Sequence, residues 1–227
     1  MKQLSVTPTK GEKILALVYL ALEYLVLPVV LVLLNNLLPN PLNEARLNLV
    51  FFVLNYLVVG LILRKFIGKN FLETKPGKTL ACAGLGLLLY WGLNFAIGLV
   101  IITVKPDFAN VNDAAISDMM QGDLLFSILG TIVLVPPCEE LLFRGVIFGG
   151  MYNKRPVAAY IISAVAFSAI HVVGYVGLFS WDTLALCFLQ YIPAGIALGW
   201  AYVRSGSILT PILIHTLVNA IGVAILR

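Results

Sequence analysis

Apolar side chains dominate seven stretches of the chain, approximately residues 14 to 38, 47 to 63, 80 to 104, 124 to 150, 157 to 173, 183 to 203 and 207 to 226. Each approaches the roughly 20 residues that a helix rising about 1.5 Å per residue needs to cross a hydrocarbon layer roughly 30 Å thick. In lipid only helices or closed barrels satisfy every backbone group, and these runs lack the two-residue alternation of barrel strands. The pattern therefore predicts an all-α, polytopic transmembrane helical bundle of about seven spans. Pro39-Asn40-Pro41, Lys75-Pro76-Gly77, Arg155-Pro156 and Ser205-Gly206-Ser207 supply the breakers of short connections. No repeat, low-complexity tract or linker interrupts the pattern, so residues 1–227 read as a single integral membrane domain. The segment from Val172 to Ser180 is apolar enough to re-enter the membrane or to extend the fifth helix, which leaves an eighth crossing open and the topology downstream of residue 172 undecided.

Composition removes the soluble alternative. Of the 227 residues 60% are hydrophobic and 11% charged, against roughly 25% charged in an ordinary soluble domain. The formal net charge of +4 does not indicate a nucleic-acid partner, because the basic residues sit between apolar segments instead of forming a polar, solvent-facing patch. Their placement orients the chain. With the N-terminus inside, the inner segments hold Lys2, Lys10, Lys13, Arg64, Lys65, Lys69, Lys75, Lys78, Lys154, Arg155 and Arg204. The outer segments hold only Arg46, Lys105 and Arg227, beside Asp107, Asp113, Asp118 and Asp123. By the positive-inside rule the N-terminus is expected in the cytoplasm and the chain in the cell membrane. The first apolar run is too long for a signal-peptide core of about 7 to 15 residues and is expected to stay as a helix. Cys82, Cys138 and Cys187 all lie in apolar stretches and form no disulfide framework or zinc-ribbon spacing.

Against this background a few buried polar residues stand out. Glu139, Glu140 and Arg144 lie inside the fourth run, where such groups cost roughly 8 to 10 kcal/mol, against roughly 7 returned by the surrounding Leu, Ile, Val and Phe. The helix is acceptable when those charges pair or face a protein interior or wet cavity. Glu140 and Arg144 are four apart, in the favoured acid-before-base order. Glu139 lies about 100° further round the helix and need not share the arginine. Read alone, the pair would serve as a structural clamp between helices, and Pro136-Pro137 just upstream as a kink that loosens the helix before the acids. Both histidines of the chain, His171 and His215, also fall inside spans. Phe167 precedes His171, and Asn219 follows His215, by four residues on one helical face. Measured from the inner loops at about 1.5 Å per residue, Glu140, His171, His215 and Asn219 all lie roughly 16 to 24 Å deep, so three helices can bring them to one level. Glu23, Asn55, Asn94 and Gln190 read instead as helix-helix hydrogen-bonding residues, and Cys138 as inert packing.

A carboxylate beside a histidine can orient and deprotonate water, and a second donor pair can hold the oxyanion that forms at a peptide carbonyl. Glu139 and His171 are assigned to the water, Glu140 and Arg144 to the surroundings of that first carboxylate, and His215 with Asn219 to the oxyanion. No cofactor is expected. Zinc is the alternative, since Glu139, Glu140, His171 and His215 offer enough nitrogen and oxygen ligands, but no H-E-x-x-H pair fixes such a site.

Glu139-Glu140-Leu141-Leu142-Phe143-Arg144-Gly145, Phe167 to His171 and His215 to Asn219 resemble the three motifs of the CAAX-processing and bacteriocin-processing (Abi) family of intramembrane proteases, which includes type II CAAX prenyl endopeptidases. The resemblance covers about residues 120 to 225. It implies a glutamate-dependent endopeptidase with water activated at Glu139 and His171 and the oxyanion at His215 and Asn219. Its substrate would be a membrane-associated peptide or protein, or a lipid-anchored tail, taken from the cytoplasmic side, with membrane lipid as the other partner and a role in peptide processing or bacteriocin self-immunity. The competing reading is a non-catalytic immunity or binding protein, or a proton-coupled carrier, built on the same acids and histidines.

Overall fold

The structure is a computed structural model and describes residues 3–226; Lys2 and Arg227, counted above for orientation, lie outside the described residues. Ten helices follow one another among the described residues: α1 Lys10–Leu25, α2 Leu27–Asn36, α3 Glu44–Ile62, α4 Arg64–Leu72, α5 Pro76–Val104, α6 Val111–Gly122, α7 Leu124–Tyr152, α8 Pro156–Val173, α9 Trp181–Ser205 and α10 Leu209–Leu226. Six of them are long and apolar enough to cross a membrane; α1 and α2 together, bent by 45°, form either a seventh, broken span or a re-entrant loop. The molecule is an all-α polytopic membrane bundle.

Three features depart from the sequence pattern, each for a local reason. The first apolar run is broken at Val26, because Pro28 in the first turn of α2 cannot donate to the preceding turn. The segment after Val173 neither extends the helix nor forms another one: residues 174 to 180 are turns, including Gly177 at φ 85, and α9 begins at Trp181 behind Ser180. Two connections that read as loops contain helices. In α6, Asn110 caps the first turn by accepting from the N–H groups of Asn112 and Asp113. Its amide also donates to Gln190 Oε1 at 2.8 Å, tying α6 to α9.

The end that carries the basic loops is tied by side chains that satisfy open helix termini. Thr9 and Glu12 form a capping box at the start of α1, and Glu12 Oε1 also accepts from the backbone N–H of Phe66 at 2.9 Å, joining α1 to α4. Asn70, fully buried in α4, accepts from Ile208 N at 2.8 Å and donates to the Gly206 carbonyl at 3.3 Å. Gly206 ends α9 at φ 83, a left-handed conformation that a side chain would strain. The start of α10, and hence the register of His215, is set by this clamp.

The core lies where α7, α8, α9 and α10 meet around Phe143, Phe148, Phe167, Leu198, Tyr202 and Ile214. Helices α8 and α9 touch backbone to backbone at one point: a Cβ at Gly195 would lie 2.4 Å from Ala164 Cβ and 2.5 Å from Ala164 Cα. Close approach through small residues is how membrane helices gain packing without a hydrophobic drive between them. Gly195→Ala is expected to cost about 1–3 kcal/mol of stability, read as a lower thermal midpoint in detergent. Ala164→Gly in the same chain is expected to restore part of that loss.

Candidate active site

Helix α7 does not run as a regular α-helix. Leu129–Leu134 and Leu141–Phe148 are wider π-helical turns flanking Val135–Glu140. In the first of them the Val135 N–H reaches back five residues to the Gly130 carbonyl. The Thr131 carbonyl would take its partner from residue 136, which is proline and has no N–H to give. Asn219 of α10 fills that position, donating from Nδ2 to the Thr131 carbonyl at 2.8 Å. Pro136 thus does more than kink the helix: it frees the acceptor that anchors Asn219.

The two adjacent glutamates separate as the helical angle requires. Glu140 and Arg144 have side chains with 0% exposure and pair at 3.0 Å. The guanidinium also donates from Nη2 to the Ala194 carbonyl of α9 at 3.0 Å and lies 4.1 Å from the centre of the Phe167 ring of α8. Charge pairing, a carbonyl and an aromatic face together compensate a cation taken wholly out of water. The same Glu140 Oε1 accepts from His215 Nδ1 at 2.8 Å. Glu140 therefore orients His215, a link that spacing within one helix does not reveal.

Glu139 faces the other way, into a cavity of about 480 Å³ that it shares with His171, His215 and Asn219. Its Oε2 has no hydrogen-bond partner among the described residues. His171 Nε2 lies 3.9 Å from that oxygen and His215 Nε2 lies 4.0 Å from it. These spans are too long for direct hydrogen bonds and suit a bridging water. His171 Nδ1 contacts the Phe167 carbonyl at 2.8 Å. A carbonyl only accepts, so Nδ1 carries the proton and a neutral ring turns its Nε2 lone pair towards Glu139. The His171 ring is stacked on Tyr191 of α9 at 4.0 Å between centroids.

All six residues singled out from the sequence, Glu139, Glu140, Arg144, His171, His215 and Asn219, thus meet at one place. Phe167 belongs with them through its ring and its carbonyl. Tyr191, Thr131 and Ala194 were not legible: an aromatic residue and two backbone carbonyls carry no polar signal in an apolar span. Of the residues read as helix-helix contacts, Asn55 does accept from Tyr19 across helices, and Gln190 accepts from Asn110 of α6. Asn94 donates to Tyr90 within its own helix, and Glu23 lines the cavity. Cys138 is buried beside the site.

The cavity runs from Glu139 to the end of the bundle where exposed Glu44 starts α3 and where Asp113, Tyr175 and Leu226 stand. This end lies opposite Lys65, Lys69, Lys75 and Lys78, whereas the sequence reading expects a substrate from the side of those basic loops.

Over residues 121–221 the chain matches the family described as type II CAAX prenyl endopeptidase Rce1-like. It is 30% identical over 132 residues to the UPF0177 protein YxdF of Lactococcus lactis subsp. lactis, an overlap of 57% of this chain and 67% of that one. It is 34% identical over 109 residues to a Bacillus subtilis protein named "Putative membrane peptidase YdiL", covering 48% of this chain and 40% of that protein. No solved structure matches. The chain belongs to the Rce1-like, CAAX-processing and bacteriocin-processing family, a family of membrane peptidases.

The buried network makes a stability prediction. Arg144→Met leaves Glu140 without its cation and is expected to cost about 3–5 kcal/mol, measured by denaturant unfolding in detergent. Adding Glu140→Gln to Arg144→Met is expected to recover most of that loss, because no unpaired charge then remains buried.

Proposed function

We propose that the protein is an intramembrane endopeptidase that hydrolyses a peptide bond of a membrane-associated or lipid-anchored peptide, with Glu139 as the group that activates water. The observation that carries this reading is the placement of the unpartnered Glu139 Oε2 between two histidine nitrogens at 3.9 and 4.0 Å on the wall of an open cavity. A water held there donates one hydrogen bond to Glu139 and one to the Nε2 lone pair of His171. As its oxygen bonds to the scissile carbonyl carbon, its proton passes to Glu139.

The oxyanion that forms is received by the Nε2–H of His215, which in this scheme carries both ring protons from the start and keeps them, and by the second N–H of Asn219, the first being engaged by Thr131. Glu140, held by Arg144, fixes His215 Nδ1–H and balances the charge of the doubly protonated ring. Transfer of the proton from Glu139 to the leaving amine accompanies cleavage of the carbon–nitrogen bond. One water is consumed, and an acid and an amine are released. In this scheme Glu140 and Arg144 are positioning residues and no cofactor takes part; zinc among Glu139, Glu140, His171 and His215 is the alternative, although among the described residues no three such groups are placed to hold a metal ion. The partners are membrane lipid and the peptide substrate, with no nucleic acid. The N-terminus lies in the cytoplasm of a cell whose surface membrane holds the bundle, so the substrate enters from the outer end of the cavity or laterally from the lipid. Peptide processing or self-immunity against a membrane-active peptide are the roles that fit such a site.

Comparing peptide products of cells carrying wild-type or Glu139→Gln protein tests the reading. The products that depend on the protein are expected to vanish with Glu139→Gln, while Asn219→Ala lowers their rate about 10²–10³-fold, the usual loss of one oxyanion donor. Identical products from wild-type and Glu139→Gln cells would favour the binding or carrier reading. For the purified protein, cleavage is expected to survive a strong chelator; loss that added zinc reverses would instead establish the metal version.

A further inference from the structure

The cavity carries a charge bias that hydrolysis alone does not require. Four carboxylates line it, Glu23, Glu44, Asp113 and Glu139, and among the described residues no lysine or arginine does. They are graded in depth: Glu44 is exposed at the mouth, Asp113 is half-buried in the first turn of α6, and Glu23 and Glu139 lie inside. At this end Arg46 pairs with Asp123 at 3.6 Å and Lys105 with Asp182 at 2.9 Å.

Glu23 is the informative member. It comes from α1, outside the segment that matches the family, and is 4% exposed. Its Oε2 is buried with no hydrogen-bond partner among the described residues. A carboxyl group in that position is costly unless something else satisfies it. Tyr24, Phe52 and Tyr90 line the same cavity, and aromatic faces attract cations.

Resting on the hydrolase reading of this cavity, we propose that its substrate is a cationic peptide whose lysine or arginine side chain is received by Glu23, with Asp113 and Glu44 drawing it in from the mouth. Glu23 is then a specificity-determining residue and takes no part in bond cleavage. The outer acids act at longer range, raising the rate of encounter in a way that salt screens. The inner one acts by contact in a site removed from water, where a charge pair discriminates most strongly against a neutral side chain.

Binding measured without cleavage tests this. Purified His171→Ala protein keeps all four carboxylates, and its affinity is read by fluorescence anisotropy for a labelled apolar peptide with one central lysine and for the same peptide with glutamine there. The lysine peptide is expected to bind on the order of 10-fold more tightly. Adding Glu23→Gln is expected to bring the two within about 2-fold, while Glu23→Asp keeps the preference. Equal binding of the two peptides by the parent, or no binding of either, overturns the proposal. So does a preference unchanged by Glu23→Gln in protein that melts where the parent does. Failure of the hydrolase reading is distinguishable: wild-type protein would then bind the lysine peptide selectively and leave it intact.

Discussion

The guanidinium of Arg144 has no contact with water, and the arrangement of four helices follows from how it is compensated. Its ion pair with Glu140 lies within α7, but the Ala194 carbonyl belongs to α9 and the Phe167 ring to α8. Glu140 passes the constraint to α10 by accepting from His215. A buried cation tolerates little displacement of its partners, because each lost contact exposes a charge to a medium that cannot solvate it. Small-residue packing at Gly195 against Ala164 and the Asn70 clamp at the start of α10 hold the partners at the distances this requires.

This constraint explains why two glutamates stand side by side. About 100° apart on the helix, they face different surroundings. One is fully buried, with its Oε1 shared between Arg144 and His215 and its Oε2 unpartnered; the other faces the cavity, where its Oε2 lies near His171 and His215. The prolines before them act in the same economy. By withholding an N–H, Pro136 leaves a carbonyl at Thr131 that can hold Asn219 from another helix. Polar groups that the membrane would reject thereby become fixed points of the site, and each one's position depends on a neighbour in a different element.

The acidic character of the cavity belongs to a different part of the chain. Glu23, Glu44 and Asp113 come from α1, α3 and α6, upstream of the segment matched by the family. The residues assigned to hydrolysis lie in α7 to α10, which with the turn after α8 also supply more than half of the cavity wall, while three of its four carboxylates come from the helices before them.

The all-helical class, the six or seven apolar spans, the pairing of Glu140 with Arg144 and the six polar residues that meet at the site can all be read along the chain. Lipid makes each of these legible: it penalises every charge it cannot solvate and every backbone group left open, so the exceptions announce themselves along one dimension. Tertiary structure alone decided that Glu140 holds His215, that Tyr191 stacks on His171, that Thr131 and Ala194 lend their carbonyls, and that Glu23 faces the cavity instead of a neighbouring helix. It also decided that the cavity extends to Glu44 and Asp113. Those outcomes depend on which backbone carbonyls are left without partners and on how closely α8 approaches α9, quantities that arise between helices and leave no periodic trace within any one of them.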